Sequence, residues 1–296
     1  MRVAERESQL VLGIDPDLDS LWPQASEAAA DARDDPGAWA AAAVRAHCRA
    51  LIDAAAPACV AAKLQLARFE VLGAAAGATL AAVAAHARDR GLLVIADGKR
   101  GDIDVSARAY AHALIDGLQT PVGMLEGLRA DLTTVNPFMG RDSIEPFVAA
   151  ARAVGAGVLV LVRTSNAGAR DVQDLELARG GAAWESVARI VAELGLAGTG
   201  AEGLSDIGAV IGATEPRHIA RARELMPRAP FLLPGVGAQG GRVEELAPAF
   251  AAGRASGLVT ASRSIADAHL HAGGEPAAAA RAEAERLRAA VWALSG

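Results

Sequence analysis

The feature that most constrains this 296-residue chain is a recurrence of short apolar runs ending in polar residues, each followed by a stretch with helical spacing. Eight runs read as strands: 9–14 (QLVLGI), 58–66, 92–97, 132–136, 157–163 (GVLVLVR), 207–211, 230–234 and 257–260. Between and after them, alanine-rich spacing predicts helices at 39–55, 71–90, 143–154, 184–194, 216–226, 242–252 and 277–294. Near-continuous apolar strands are those buried on both faces, and their alternation with helices implies a parallel sheet. Eight such units at this length predict an α/β fold, a closed (β/α)8 TIM barrel forming a single domain over 1–296. An open doubly wound sheet is the alternative, but no GxGxxG follows the first strand. Three connections, near 15–37, 164–181 and 195–205, exceed what joining requires and suggest lids or binding loops.

Composition narrows the function classes. Hydrophobic residues make up 52% of the chain and charged residues 22%, which is a globular balance. Much of the apolar share is alanine, a helix former, and no strongly apolar run reaches membrane-spanning length. The N-terminus lacks a signal-like core, so a cytoplasmic location is the default expectation. A net charge of −6 argues against a general nucleic-acid surface, so a phosphate site has to be local. Cys48 and Cys59 form no metal spacing, and the six histidines form no HxxxH pair. No metal site is indicated.

Polar groups end nearly every strand. Asp15, Lys63, Asp97, Lys99, Asn136, Ser165, Gln239 and Arg263 fall at or just after strand ends, where a barrel of this type builds its active site. The densest stretch is LLVIADGKRGDID, with Asp97, Lys99, Arg100, Asp102 and Asp104 inside eight residues. Desolvating such charges is costly unless they pair or do chemistry; alternation along a strand sends Asp97 and Lys99 to one side. The bland reading is a solvated turn before a helix. Taken singly, Lys63 reads as a snorkelling lysine and Asn136-Pro137 as an ordinary turn. Late in the chain, PGVGAQGG (234–241) puts four glycines in eight residues, leaving backbone N–H groups open to an anion. Ser262-Arg263 follows the eighth strand, so this pair of loops reads as a phosphate grip.

These residues resemble the orotidine 5′-phosphate decarboxylase family, in particular its longer bacterial branch. Asp97-x-Lys99-x-x-Asp102-Ile103 matches the DxKxxDI signature, and Asp15, KLQLARFE around Lys63, VNPFMGRDS, TSNAG with Ser165, PGVGAQGG and Ser262-Arg263 follow in the family's order. The resemblance implies conversion of orotidine 5′-monophosphate to UMP and CO2 without metal or organic cofactor. It implies a catalytic set of Lys63, Asp97, Lys99 and Asp102, with Asp102 supplied across a homodimer interface. It further implies a substrate-binding set of Asp15, Ile103, Asn136, Ser165, Pro234, Gln239, Gly240, Ser262 and Arg263. Ser165 would meet the pyrimidine, Asp15 and Asp102 the ribose, and Gln239 and Arg263 the phosphate. Two positions depart from the pattern: Ala167 stands where proline is expected, and Asp104 where a smaller residue is.

The implied chemistry is physically coherent. Loss of CO2 from C6 leaves a carbanion with no adjacent carbonyl to take the charge, so a fixed ammonium beside C6 stabilises it and then delivers a proton. Flanking carboxylates keep both lysines protonated. Three rivals share the barrel. A Mg2+-dependent sugar-phosphate decarboxylase needs a further acidic ligand near the second strand, where this chain has Lys63-Leu64-Gln65. A non-catalytic nucleotide-binding barrel would not need Asp97 and Lys99. A Schiff-base aldolase needs an uncharged lysine.

Overall fold

A computed structural model describes residues 2–237 and 240–296. Its strands are β1 (Leu10–Ile14), β2 (Ala61–Gln65), β3 (Leu93–Arg100), β4 (Leu118–Thr120), β5 (Gly123–Leu125), β6 (Leu132–Val135), β7 (Gly157–Arg163), β8 (Ile207–Ile211), β9 (Phe231–Leu233) and β10 (Gly257–Ala261). Eight of them close into a parallel barrel in the order β1-β10-β9-β8-β7-β6-β3-β2, while β4 and β5 make a separate antiparallel hairpin. Each apolar run of the sequence lies on a barrel strand. Their interiors are sealed: Leu10, Leu12, Ile95, Val158, Leu159 and Phe231 are all solvent-inaccessible, as burial on both faces requires.

The connecting helices form for local reasons. Pro36–Ala55 starts on Asp35, whose side chain accepts from the N–H groups of Gly37 and Ala38, with proline at the first helical position. Ala183–Gly195 buries Trp184, Ala188 and Val191, a single stripe at helical spacing.

Packing resolves into two compact units, Met1–Gly98 with Ala261–Ala289 and Lys99–Thr260 with Ala290–Gly296. In the first, Arg6 donates to the carbonyls of Ala56 and Cys59 at 2.6 and 2.9 Å. In the second, the buried Arg223 donates to the carbonyls of Met226, Ala229, Ala249 and Ser256 and lies 3.8 Å from the Phe231 ring centroid. Burial pulls its pKa down to about 10.

Three expectations are corrected. The helix over 71–90 is broken: Leu66–Glu70 and Ala76–Asp89 flank a tight turn at Gly73–Ala75, and Gly73 has φ +58. The helix over 242–252 is replaced by two 3-10 turns, Val243–Glu245 and Ala247–Phe250, because Pro248 has no N–H to continue a ladder. The segment 195–205 lies before β8, at the N-terminal end of the strands, opposite the end where a barrel active site forms.

The β4–β5 hairpin was not foreseen. Its flanks depend on glycine, since a Cβ at Gly117 (φ +75) would lie 2.5 Å from the Leu125 carbonyl oxygen, and one at Gly127 (φ +60) 2.7 Å from that of Ala113. Among the described residues no helix is long and apolar enough to cross a membrane.

Candidate active site

In the first unit the site is a buried ion cluster. Parallel pairing sets Lys63 on β2 opposite Gly13 on β1 and Ile95 on β3, and Gln65 opposite Asp97. Lys63 Nζ lies 2.7 Å from Asp97 Oδ2 and 3.4 Å from Asp15 Oδ1. Gln65 Nε2 donates to the same Asp97 oxygen at 3.4 Å. Lys63 and Asp97 are 5% and 4% exposed, so this is a charge network out of water rather than a snorkelling lysine. Burial works against the ammonium, but Asp15, Asp97 and their hydrogen bonds outweigh it and hold the Lys63 pKa above its ordinary value.

The same unit carries Ser262 and Arg263. Gly13 is there to make room: a Cβ on it would fall 1.8 Å from Ser262 Oγ. Arg263 is exposed, opens the single turn Arg263–Ala266, and its guanidinium has no partner among the described residues.

The charge run DGKRGDI is strand in its first half, since β3 continues through Asp97 to Arg100, and only 101–103 lead outside it to the helix at Asp104. Lys99 leaves the extended region with φ +47, so simple strand alternation does not set its side-chain direction. A left-handed non-glycine residue costs roughly 1–2 kcal/mol, and here the Lys99 N–H is held by the Thr134 hydroxyl at 2.9 Å. Arg100 accepts from the Asn136 N–H at 2.8 Å, and a Cβ on Gly101 would lie 2.7 Å from the Asn136 carbonyl. Asn136 is exposed and its side chain caps the Phe138 N–H at 3.0 Å, a local turn. Asp102 accepts from the Ile103 N–H at 2.8 Å, and Ile103 is half-exposed at the head of the helix Asp104–Ala111.

Ser165 lies in the loop after β7, partly exposed and packed on Gly212, where a Cβ would approach it to 2.9 Å. That loop is pinned: the buried Arg163 grips Asp174 with two donors at 2.9 and 3.0 Å, and Gln173 accepts from the Thr164 N–H. The glycine-rich loop corrects an expectation. The N–H groups of Gly237, Gly240 and Gly241 donate to carbonyls of the loop itself, so its glycines serve the turn (φ +103 at Gly235, +75 at Gly237, +88 at Gly240) rather than leaving those donors open. Pro234 accepts from the Ala213 N–H. Gln239 lies outside the described residues.

Gln65 and Thr134 were missed in the sequence. Each is a polar residue on a short barrel strand that carries a second polar residue, Lys63 beside Gln65 and Thr133 beside Thr134, and that pairing is a usable signal. Together the closed eight-stranded parallel barrel and the helices between its strands define a (β/α)8 protein.

The comparisons narrow this class. The family model described as orotidine 5′-phosphate decarboxylase / HUMPS matches residues 8–282. The chain is 40% identical over 261 residues to an orotidine 5′-phosphate decarboxylase of Rhodopirellula baltica, covering 87% of this chain and 83% of that one. It is 39% identical over 292 residues to one of Deinococcus radiodurans, covering 97% and 93%. The solved structure of Leishmania donovani OMP decarboxylase superposes with a TM-score of 0.75 at 29% identity, covering 99% of this chain and 97% of that one. The chain belongs to the orotidine 5′-phosphate decarboxylase / HUMPS family.

Proposed function

We propose that this chain decarboxylates orotidine 5′-monophosphate to UMP, as the names of its relatives suggest. The observation that carries the reading is the Asp15–Lys63–Asp97 cluster, buried at Lys63 and Asp97, with Lys99 two residues beyond Asp97 on the same strand. The C6–CO2 bond breaks, its electron pair stays on C6, and the Lys99 ammonium supplies the proton that C6 takes up. Solvent then reprotonates the amine. Asp97, anchored by Lys63, positions Lys99 and faces the substrate carboxylate; repulsion between those anions is relieved as CO2 leaves. Asp15 and Asp102 take the ribose, with Ile103, Asn136, Pro234 and Gly240 lining the nucleotide. Ser165 takes the pyrimidine. Arg263, Ser262 and Gln239 take the phosphate, whose binding energy drives loop closure.

The assembly in this reading is a homodimer in which Asp102 serves the partner's site. Its support is a surface groove lined by the apolar side chains Val105, Leu118 and Leu125, which are 45 to 66% exposed. Single exposed apolar residues are ordinary, whereas a cluster marks a contact surface. A cytoplasmic, cofactor-independent enzyme of pyrimidine biosynthesis completes the proposal.

The test is loss of orotidine 5′-monophosphate absorbance with purified protein in EDTA. Turnover is expected. Activity appearing only with added Mg2+ and a sugar phosphate would transfer the chain to that other chemistry, and tight nucleotide binding without turnover would leave a binding protein.

A further inference from the structure

The long loop 15–37 has a purpose that no motif announces. It folds as a 3-10 turn, Leu18–Ser20, followed by the short helix Pro23–Ala28. Between them Trp22 is only 3% exposed. Its indole Nε1–H donates to the Ala266 carbonyl at 2.9 Å. Ala266 ends the single turn that Arg263 opens. The last carbonyls of a helical turn have no partner within it, so an indole donor there replaces water and fixes the turn's end.

The indole is itself clamped. Its backbone N–H donates to His47 Nδ1 at 3.1 Å, which requires a neutral His47 with its proton on Nε2. The His47 ring meets the indole edge-on at 5.3 Å, and the His269 ring does so at 6.4 Å. His47 stands on Pro36–Ala55, and His269 on Ala268–Ala272, the helix directly after the Arg263 turn. One side chain therefore joins the first loop, the helix that follows it and the two segments after β10.

We propose that Trp22 is a positioning residue for Arg263: through the Ala266 carbonyl, the first loop holds the arginine-bearing turn in the orientation that grips the substrate phosphate. This rests on the reading of Arg263 as the phosphate ligand. Arg263 is exposed and makes no side-chain bond among the described residues. No contact among the described residues holds its guanidinium, so the orientation of its turn decides where it can reach. A turn of four residues has no internal ladder long enough to hold itself.

The experiment is a double-mutant cycle between Trp22→Phe, which keeps an aromatic ring but removes the donor, and Arg263→Ala. The readouts are Kd for uridine 5′-monophosphate by titration calorimetry and kcat/KM for orotidine 5′-monophosphate. Trp22→Phe alone is expected to weaken nucleotide binding roughly 3- to 10-fold, the weight of one hydrogen bond. In the Arg263→Ala background the same substitution is expected to change Kd by less than about twofold, because its effect passes through the missing arginine. Equal losses in both backgrounds would mean that Trp22 only stabilises the fold, and would overturn this inference alone. No loss in either background overturns it as well. If Arg263→Ala binds the nucleotide as well as the unsubstituted chain, the phosphate role of Arg263 and this inference fall together. Thermal melts of all four proteins identify any variant that is unfolded. Should Trp22→Phe be so, His269→Phe, which also disturbs the clamp, takes its place in the cycle with the same expected non-additivity.

Discussion

At Lys63, burial and charge pull in opposite directions, and the two aspartates decide the outcome. Removing the ammonium takes away a cation 2.7 Å from Asp97, a carboxylate only 4% exposed. Breaking one side of a buried pair costs about 3–5 kcal/mol, so Lys63→Ala is expected to lower the melting temperature sharply as well as stopping turnover. Lys99 is the contrast. It is exposed and held in a left-handed conformation, so Lys99→Ala is expected to abolish turnover while the melt stays within a few degrees of the unsubstituted protein. Near-normal turnover of Lys99→Ala would refute the proposed protonation. His47 gives a pH signature. Burial, and next the charge of His269, lower its pKa from 6.5 to about 4. The unfolded chain therefore takes up a proton that the folded one refuses. The stability is intact above about pH 6.5, falls as pH drops towards 4, and levels off below that. Denaturant melts between pH 7 and 4 check this, and His47→Gln is expected to flatten the dependence. The cysteines behave as inert core residues: burial raises both thiol pKa values, that of Cys59 to about 12.

Elements here are held as much by carbonyl-capping arginines as by apolar stripes. Arg223, 7% exposed, ties the end of the helix Pro216–Leu225 to segments preceding β9 and β10 through four carbonyls. Replacing it with methionine keeps the stem but removes its donors; the Met226 and Ala249 carbonyls retain the Ala229 N–H and the Ser256 hydroxyl, and each of the other two that water cannot reach costs roughly 1–3 kcal/mol. The expected outcome is a melt lower by many degrees with the active-site residues untouched, checked by differential scanning calorimetry.

This also marks what was legible beforehand. Barrel strands were readable because burial on both faces writes an uninterrupted apolar run, as in GVLVLVR. Asp97 was readable because charge at such a run's end has few structural excuses, and Lys63 because it stands alone among apolar neighbours in 58–66. Lys99's backbone was not, since its φ depends on Thr134 of another strand. The β4–β5 hairpin was not, since Gly117 and Gly127 acquire their purpose only against distant carbonyls. Trp22 carries no motif; its partner lies 244 residues away.

For the whole molecule, the proposed dimer makes a sharp statement. Mixing Asp97→Ala and Asp102→Ala chains is expected to restore about a quarter of full activity when subunits exchange freely, since half of the dimers are then mixed and each holds one intact site. Activity is measured after co-refolding, with heterodimers verified by differential tagging; none in verified heterodimers would exclude a shared site. The barrel's seam bears on how such a molecule is made. β1 neighbours β10 in the closed order, and Gly13 meets Ser262 there. On the ribosome β1 emerges first, and its outer edge waits for a strand that begins at Gly257. Through most of translation the nascent chain thus carries an open sheet edge, the kind of surface that recruits other strands. Slowing synthesis across the region before β10 is therefore expected to lower the yield of soluble protein, and a chaperone that shields the β1 edge to restore it.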